Sequence, residues 1–121
     1  MIAQRPTDGN LLNALCWQAA IWSKMDEMRL DSCTKAVEKS DNAPTALDSR
    51  AMAHFRLGNL AAAKADIDAA LLAEPYQVES RLLRGIILRE MGDKAGKDDI
   101  ALALKMRPSL AATYKAFGLT F

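Results

Sequence analysis

Histidine is all but missing from this chain. His54 is the only one in 121 residues, so a Ser-His-Asp triad or a multi-histidine metal site would have to be assembled around that single side chain. His54 sits on the inward stripe of a helical pattern, which favours packing over chemistry. Cysteine is nearly as scarce, and Cys16 and Cys33 do not make a metal site by themselves. Glycine numbers six, and Gly85, Gly92 and Gly96 lie in helical surroundings, not in a strand-to-helix phosphate loop. Asp98 and Asp99 are adjacent carboxylates, but neighbours on a helix diverge by about 100° and do not form an acid/base pair. Catalysis and a bound cofactor are therefore not expected.

Aromatic residues make up only 6% of the chain and the formal net charge is +1. Without a basic stripe interleaved with stacking rings, nucleic acid is disfavoured as a partner. No apolar run approaches the roughly 18 residues that span a bilayer, and Met1 to Asn10 lacks the charged start and apolar stretch of a signal peptide. As given, the chain reads as cytoplasmic and not membrane-inserted. Residues 1–9 read as a flexible polar leader or a linker remnant, and in the latter case a periplasmic site and an accessory role in a larger bacterial protein are open.

What the chain does have is apolar residues in half its positions, 26% charge, and a repeat. Ala36, Ala70 and Ala103 are 34 and 33 residues apart; Cys33, Ile67 and Ile100 keep the same steps, as do Asp41, Pro75 and Pro108. Earlier in each unit Trp17, Ala51 and Gly85 are 34 apart each time, and so are Lys24, Gly58 and Gly92. One residue is thus missing after Gly92, in the turn or in the first turn of the next helix. Within each unit, Ala, Leu, Lys, Glu and Arg at helical spacing flank a punctuated turn, giving two helices per unit. Leu47, Ala51, His54 and Phe55 run up to Gly58; Ala63, Ile67, Ala70 and Leu71 follow and stop before Pro75. Small residues, Ala51 or Gly85 in the first helix and Ala63 or Gly96 with Ala70 or Ala103 in the second, let the two helices approach closely.

This period, with Leu-Gly or Met-Gly at the turn, small residues at fixed places and Pro after the second helix, resembles the tetratricopeptide repeat over roughly Asn10 to Pro108. The resemblance implies an all-α fold, a right-handed superhelical stack of antiparallel helix pairs with about seven helices. Its units would be about 10–43, 44–77 and 78–108 within one domain of 10–121. The first unit departs from the pattern, with Lys24 for the turn glycine, Arg29 at a usually small position and Asp41 for proline. After Pro108, Ser109 is expected to cap a short closing helix over about 109–118, with Leu110, Tyr114 and Phe117 covering the last apolar face and Gly118 as its stop. Leu119, Thr120 and Phe121 form an apolar tail without an assigned place.

Cys16 and Cys33 fall on the two helices of the first unit, at places that face across the pair. The expected reading is two reduced, buried small hydrophobes, with a disulfide and a redox switch as the alternatives. Trp17 is expected in the core and Trp22 partly exposed at a helix end.

The resemblance also implies a function, protein-protein interaction through a concave groove lined by the first helix of each unit. The outward positions would be Leu11, Ala14, Gln18, Ile21, Thr45, Asp48, Met52, Phe55, Glu79, Leu82, Ile86 and Arg89, with Arg56 alongside. Of these, Gln18, Ile21, Asp48, Met52, Phe55, Arg56, Leu82, Ile86 and Arg89 are the candidate peptide-binding residues, apolar anchors between charges that suit a protein or peptide ligand. Completion of inter-repeat packing is the competing use of the apolar members. The clamp with which family members grip acidic chaperone tails is missing, since its positions here are Ala14, Gln18, Ser49, Glu79 and Leu83, which bring no cation to a carboxylate. The runner-up is a self-associating scaffold, a homo-oligomer formed through Phe117, Leu119 and Phe121.

Overall fold

The punctuated helical pattern is realised as seven helices in the computed structural model, which describes residues 9–22 and 24–121. In chain order they are α1 (Gly9–Ile21), α2 (Glu27–Lys39), α3 (Pro44–Arg56), α4 (Leu60–Ala73), α5 (Val78–Glu90), α6 (Gly96–Met106) and α7 (Leu110–Ala116). Among the described residues there is no strand, so the chain is all-α. None of these helices is long and apolar enough to cross a membrane. The expected leader lies outside the described residues except for Gly9, which begins α1 instead of preceding it.

The turns follow from their residues. Gly58 and Gly92 end α3 and α5 at φ of 80° and 78°, and the next amides, of Asn59 and Asp93, return to His54 O and Leu88 O at 2.8 and 2.9 Å. These bonds satisfy helix-end carbonyls that would otherwise have no partner. In the first unit, Asp41 and Asn42 take φ of 56° and 61°, a conformation that short polar side chains tolerate better than most. The residue missing after Gly92 is absorbed at the start of α6: Asp93 Oδ1 accepts the Ala95 amide at 2.9 Å, and the helix begins only at Gly96.

Helices pack as consecutive pairs, α1 on α2, α3 on α4 and α5 on α6. In the third pair Arg84 reaches Asp99, and Arg107, just past α6, reaches Glu79 near the start of α5, so the two chains run antiparallel. Each pair carries a clasp between its two helices. Arg50 grips Asp66 through two hydrogen bonds of 2.7 and 2.8 Å, and Arg84 grips Asp99 through two of 2.7 and 2.9 Å. Arg50 and Arg84 share one repeat position and Asp66 and Asp99 another. Both aspartates are buried, so their charge is tolerable only because a planar guanidinium forks both oxygens. His54 packs beside this clasp, Nε2 3.7 Å from Asp66, and burial pulls its pKa down. In the first unit the position of Arg50 and Arg84 is Cys16, which is joined to Cys33 by a disulfide with the Cα atoms 4.9 Å apart. This corrects the expectation of two reduced thiols. The covalent link takes the place of the ionic fork.

The last helix is where the structure departs furthest from the resemblance. α7 runs from Leu110 to Ala116 and is stopped at Gly118, φ 85°. Ser109 is already helical, with φ of −64°, and makes no side-chain cap, contrary to expectation. Leu110, Tyr114 and Phe117 do face inward. Phe117, however, stacks edge-on against Trp17 and Trp22 of the first unit, with centroids 6.0 and 5.9 Å apart. Arg56 secures this crossing: its guanidinium donates to Ala20 O at 2.7 Å, to Ile21 O at 3.0 Å and to Phe117 O. One side chain of α3 thereby holds the carbonyl ends of α1 and α7 together, where the helix dipoles favour a cation.

Candidate functional site

The crossing of α7 decides the fate of the expected groove. Ile21, Asp48, Met52, Leu82 and Ile86 are buried, Met52 and Leu82 completely. Phe55 and Arg56 are half-buried, and only Gln18 and Arg89 are exposed. Met52, Leu82 and Ile86 belong to one continuous apolar cluster with Leu110, Tyr114 and Leu119. The apolar anchors expected to receive a peptide are therefore part of the core, where Met52, Leu82 and Ile86 share one cluster with the chain's own C-terminal segment. Arg56 is a structural tie between helix ends. Leu119 is buried and Phe117 and Phe121 pack against the cluster, so the tail expected to cover a second copy is engaged within the chain. Trp17, expected in the core, is half-buried, and Trp22 is exposed just past α1.

What remains open on this side is a polar cleft of about 280 Å³. α1 contributes Asn10, Asn13, Ala14 and Trp17, α3 contributes Thr45, Asp48 and Ser49, the start of α5 contributes Gln77 and Glu79, and α7 closes it with Tyr114. Ala14, Thr45, Asp48 and Glu79 are groove positions implied by the repeat. Asn13, Trp17 and Tyr114 were not assigned to it from the sequence.

Asp48 is the centre of this cleft. It is 5% exposed, and Oδ2 accepts the Ser80 hydroxyl at 2.6 Å. Burial, helped by the charge of Glu79 and only partly opposed by the Ser80 bond, pushes its pKa up from 3.8 to about 6. Tyr114 is pushed up as well, by burial first and then by the negative charges of Asp48 and Glu79. Glu79 receives Arg107 Nη1 at 2.6 Å. Asn13 Oδ1 is buried without a hydrogen-bond partner.

One of these residues interrupts the repeat. Asp48 stands where the other units have Ala14 and Leu82. Packing of a helix pair thus does not call for a carboxylate at position 48, and its raised pKa means that it destabilises the fold when ionised. The signal was available in the sequence as a polar break in an apolar column.

That cost is measurable. Asp48→Asn removes the charge and still accepts from Ser80. Above pH 6 the folded wild type holds an ionised, desolvated carboxylate, and below 3.8 both its folded and unfolded states are protonated. The variant is therefore expected to be more stable by about 2 to 3 kcal/mol at pH 7.5, with the advantage shrinking toward zero as pH falls to 4. The opposite effect of His54, whose lowered pKa weakens the fold as pH falls below 6.5, is common to both proteins and cancels. Urea unfolding of the pair at both pH values checks this, and an unchanged difference would show that Asp48 bears no such strain.

Among the described residues no group of three or more His, Cys, Asp or Glu side chains is placed to hold a metal ion. Comparison with protein-family models, with curated proteins and with solved structures finds no match to this chain.

Proposed function

We propose that the chain is a tetratricopeptide-type interaction module, a right-handed superhelical stack without catalytic activity, that binds a peptide segment of another protein at the polar cleft. The observation that carries this reading is that the first helix of each of the three units contributes to one cleft, with a buried carboxylate that packing does not require. Retaining a polar group at a cost in stability is the usual mark of a site under functional demand. The Cys16–Cys33 bond favours an oxidising compartment over the cytoplasm, since structural disulfides persist outside reducing environments.

Blocking the cleft without disturbing the core tests the proposal. Ala14 and Thr45 are exposed cleft residues, so Ala14→Trp with Thr45→Trp fills it from outside. Peptides selected from a random library on the wild-type protein are expected to lose about tenfold or more in affinity for the filled variant. Equal binding to both proteins would remove the cleft from consideration as the peptide site.

A further inference from the structure

Two acceptor oxygens of the cleft receive no hydrogen bond from the chain's described residues. Asn13 Oδ1 is buried and unpartnered. Asp48 is more than nine-tenths buried, and Ser80 supplies a donor to Oδ2 alone. Buried acceptors in native proteins are nearly always satisfied, so such a vacancy asks for a donor from outside. Charge points the same way. Arg107 compensates Glu79, nothing cationic bonds Asp48, and neither lysine nor arginine lines the cleft. Trp17 and Tyr114 complete the wall with aromatic rings.

From this combination we infer that the cleft receives the cationic head of a basic side chain, a primary ammonium or a guanidinium, carried by the bound peptide. The inference rests on the peptide-binding reading and specifies what that peptide must present. A cation meets each feature with one group. Its N–H bonds donate to the free side of Asp48 and, on rotation of the Asn13 side chain, to Asn13 Oδ1, its charge balances the Asp48 carboxylate, and Trp17 and Tyr114 place aromatic rings in the same wall. A carboxylate or phosphate would meet like charge and bring no donor, and an apolar head would leave both acceptors unpaired in a desolvated site. At about 280 Å³, the space is smaller than the roughly 300 to 1,000 Å³ of pockets that enclose whole small ligands. It suits one head group with its aliphatic stem.

The full chain titrated with N-acetyl-lysine methylamide, N-acetyl-arginine methylamide and the uncharged N-acetyl-norleucine methylamide provides the test. At least one cationic compound is expected to give saturable nuclear magnetic resonance shifts at the Asn13 side-chain amide and the Trp17 indole, and norleucine none. Asp48→Asn is expected to weaken that binding about tenfold or more. Asn13→Ala serves as the second variant, because deleting an unpartnered buried acceptor relieves a desolvation cost, so the melting temperature does not fall while one ligand contact is lost. Norleucine binding as well as lysine, no saturable shift with either cation, or affinity unaffected by both substitutions overturns the inference. Tighter binding of a free aliphatic diamine than of the lysine compound overturns the peptide as its source. Library peptides that need the open cleft but carry no lysine or arginine reject the cation and leave the peptide site standing, whereas peptides indifferent to the filled cleft reject the site itself.

Discussion

Gly96→Ala is expected to destabilise the protein by about 3 kcal/mol and to lower its melting temperature by roughly 10 to 15 °C. A Cβ at Gly96 would stand 2.5 Å from Gly85 O, 2.9 Å from Arg89 N and 3.2 Å from Leu88 Cβ. Gly85 answers in kind, its added Cβ meeting Gly96 O at 2.8 Å and Ile100 N at 2.9 Å. The obstructing atoms are mostly backbone, which cannot rotate away as a flexible side chain would, so α5 and α6 must separate and the Arg84–Asp99 clasp must stretch. Alanine's greater helix propensity offsets only about 1 kcal/mol of this. Gly58→Ala provides the contrast. Nothing lies within 4 Å of its added Cβ, and only its φ of 80° opposes the change, so a cost of about 1 to 2 kcal/mol is expected. Thermal unfolding of the two variants beside the parent decides the matter, and a Gly96→Ala protein as stable as the parent would mean that the two backbones are not in contact.

Loss of the Cys16–Cys33 bond is expected to have a comparable effect. The bond closes a loop with a sequence separation of 17, for which restriction of the unfolded chain amounts to about 3 kcal/mol. Both sulfurs are fully buried, and the first unit has no ionic fork at this place to hold α1 on α2 when the link is gone. Reductant, or Cys16→Ala with Cys33→Ala, should therefore lower the melting temperature by roughly 10 °C. α1 is also one wall of the cleft, so peptide affinity should fall along with stability. Intact mass under non-reducing conditions should be lighter by two hydrogens than after reduction. Identical masses, or a melting temperature insensitive to reductant, would contradict the link.

The two predictions differ in how far the sequence announced them. Gly85 and Gly96 were legible as points of close helix approach, because a repeat that places Ala or Gly at fixed intervals leaves little other use for them. The disulfide was not. Cys16 and Cys33 were seen to face each other across a helix pair, yet facing is compatible with two thiols as well as with one bond, and only the 4.9 Å approach of the Cα atoms separates the two. The ionic clasps lay between these cases. Arg50 with Arg84 and Asp66 with Asp99 keep the repeat steps, a regularity present in the sequence but not singled out there, and their role as partners depends on which helix faces which.

The candidate site divides in the same way. Asp48, Thr45, Glu79 and Ala14 follow from the repeat register, since each lies on the first helix of its unit at a position implied to face the groove. Met52, Leu82 and Ile86 share that register and are buried. Nothing local distinguishes the two groups, because a helix face exposes or hides its side chains according to what is laid across it. Here the segment from Leu110 to Phe121 joins the same apolar cluster, and its own spacing of Leu110, Tyr114 and Phe117 showed that it had an apolar face without showing where the face would land.

The sequence by itself determined that the chain is all-α, where its turns fall, and which small residues let its helices meet, because these depend on periodicity and on glycine at helix ends, which are local properties. Tertiary structure alone decided that Cys16 and Cys33 are joined, that Arg56 binds the ends of α1 and α7, and that the apolar groove closes while the polar cleft at Asn13 and Asp48 stays open. Those outcomes depend on contacts between residues up to about a hundred positions apart in the chain, such as Trp17 with Phe117. Loop-closure and packing energies settle such contacts, and a one-dimensional pattern does not carry them.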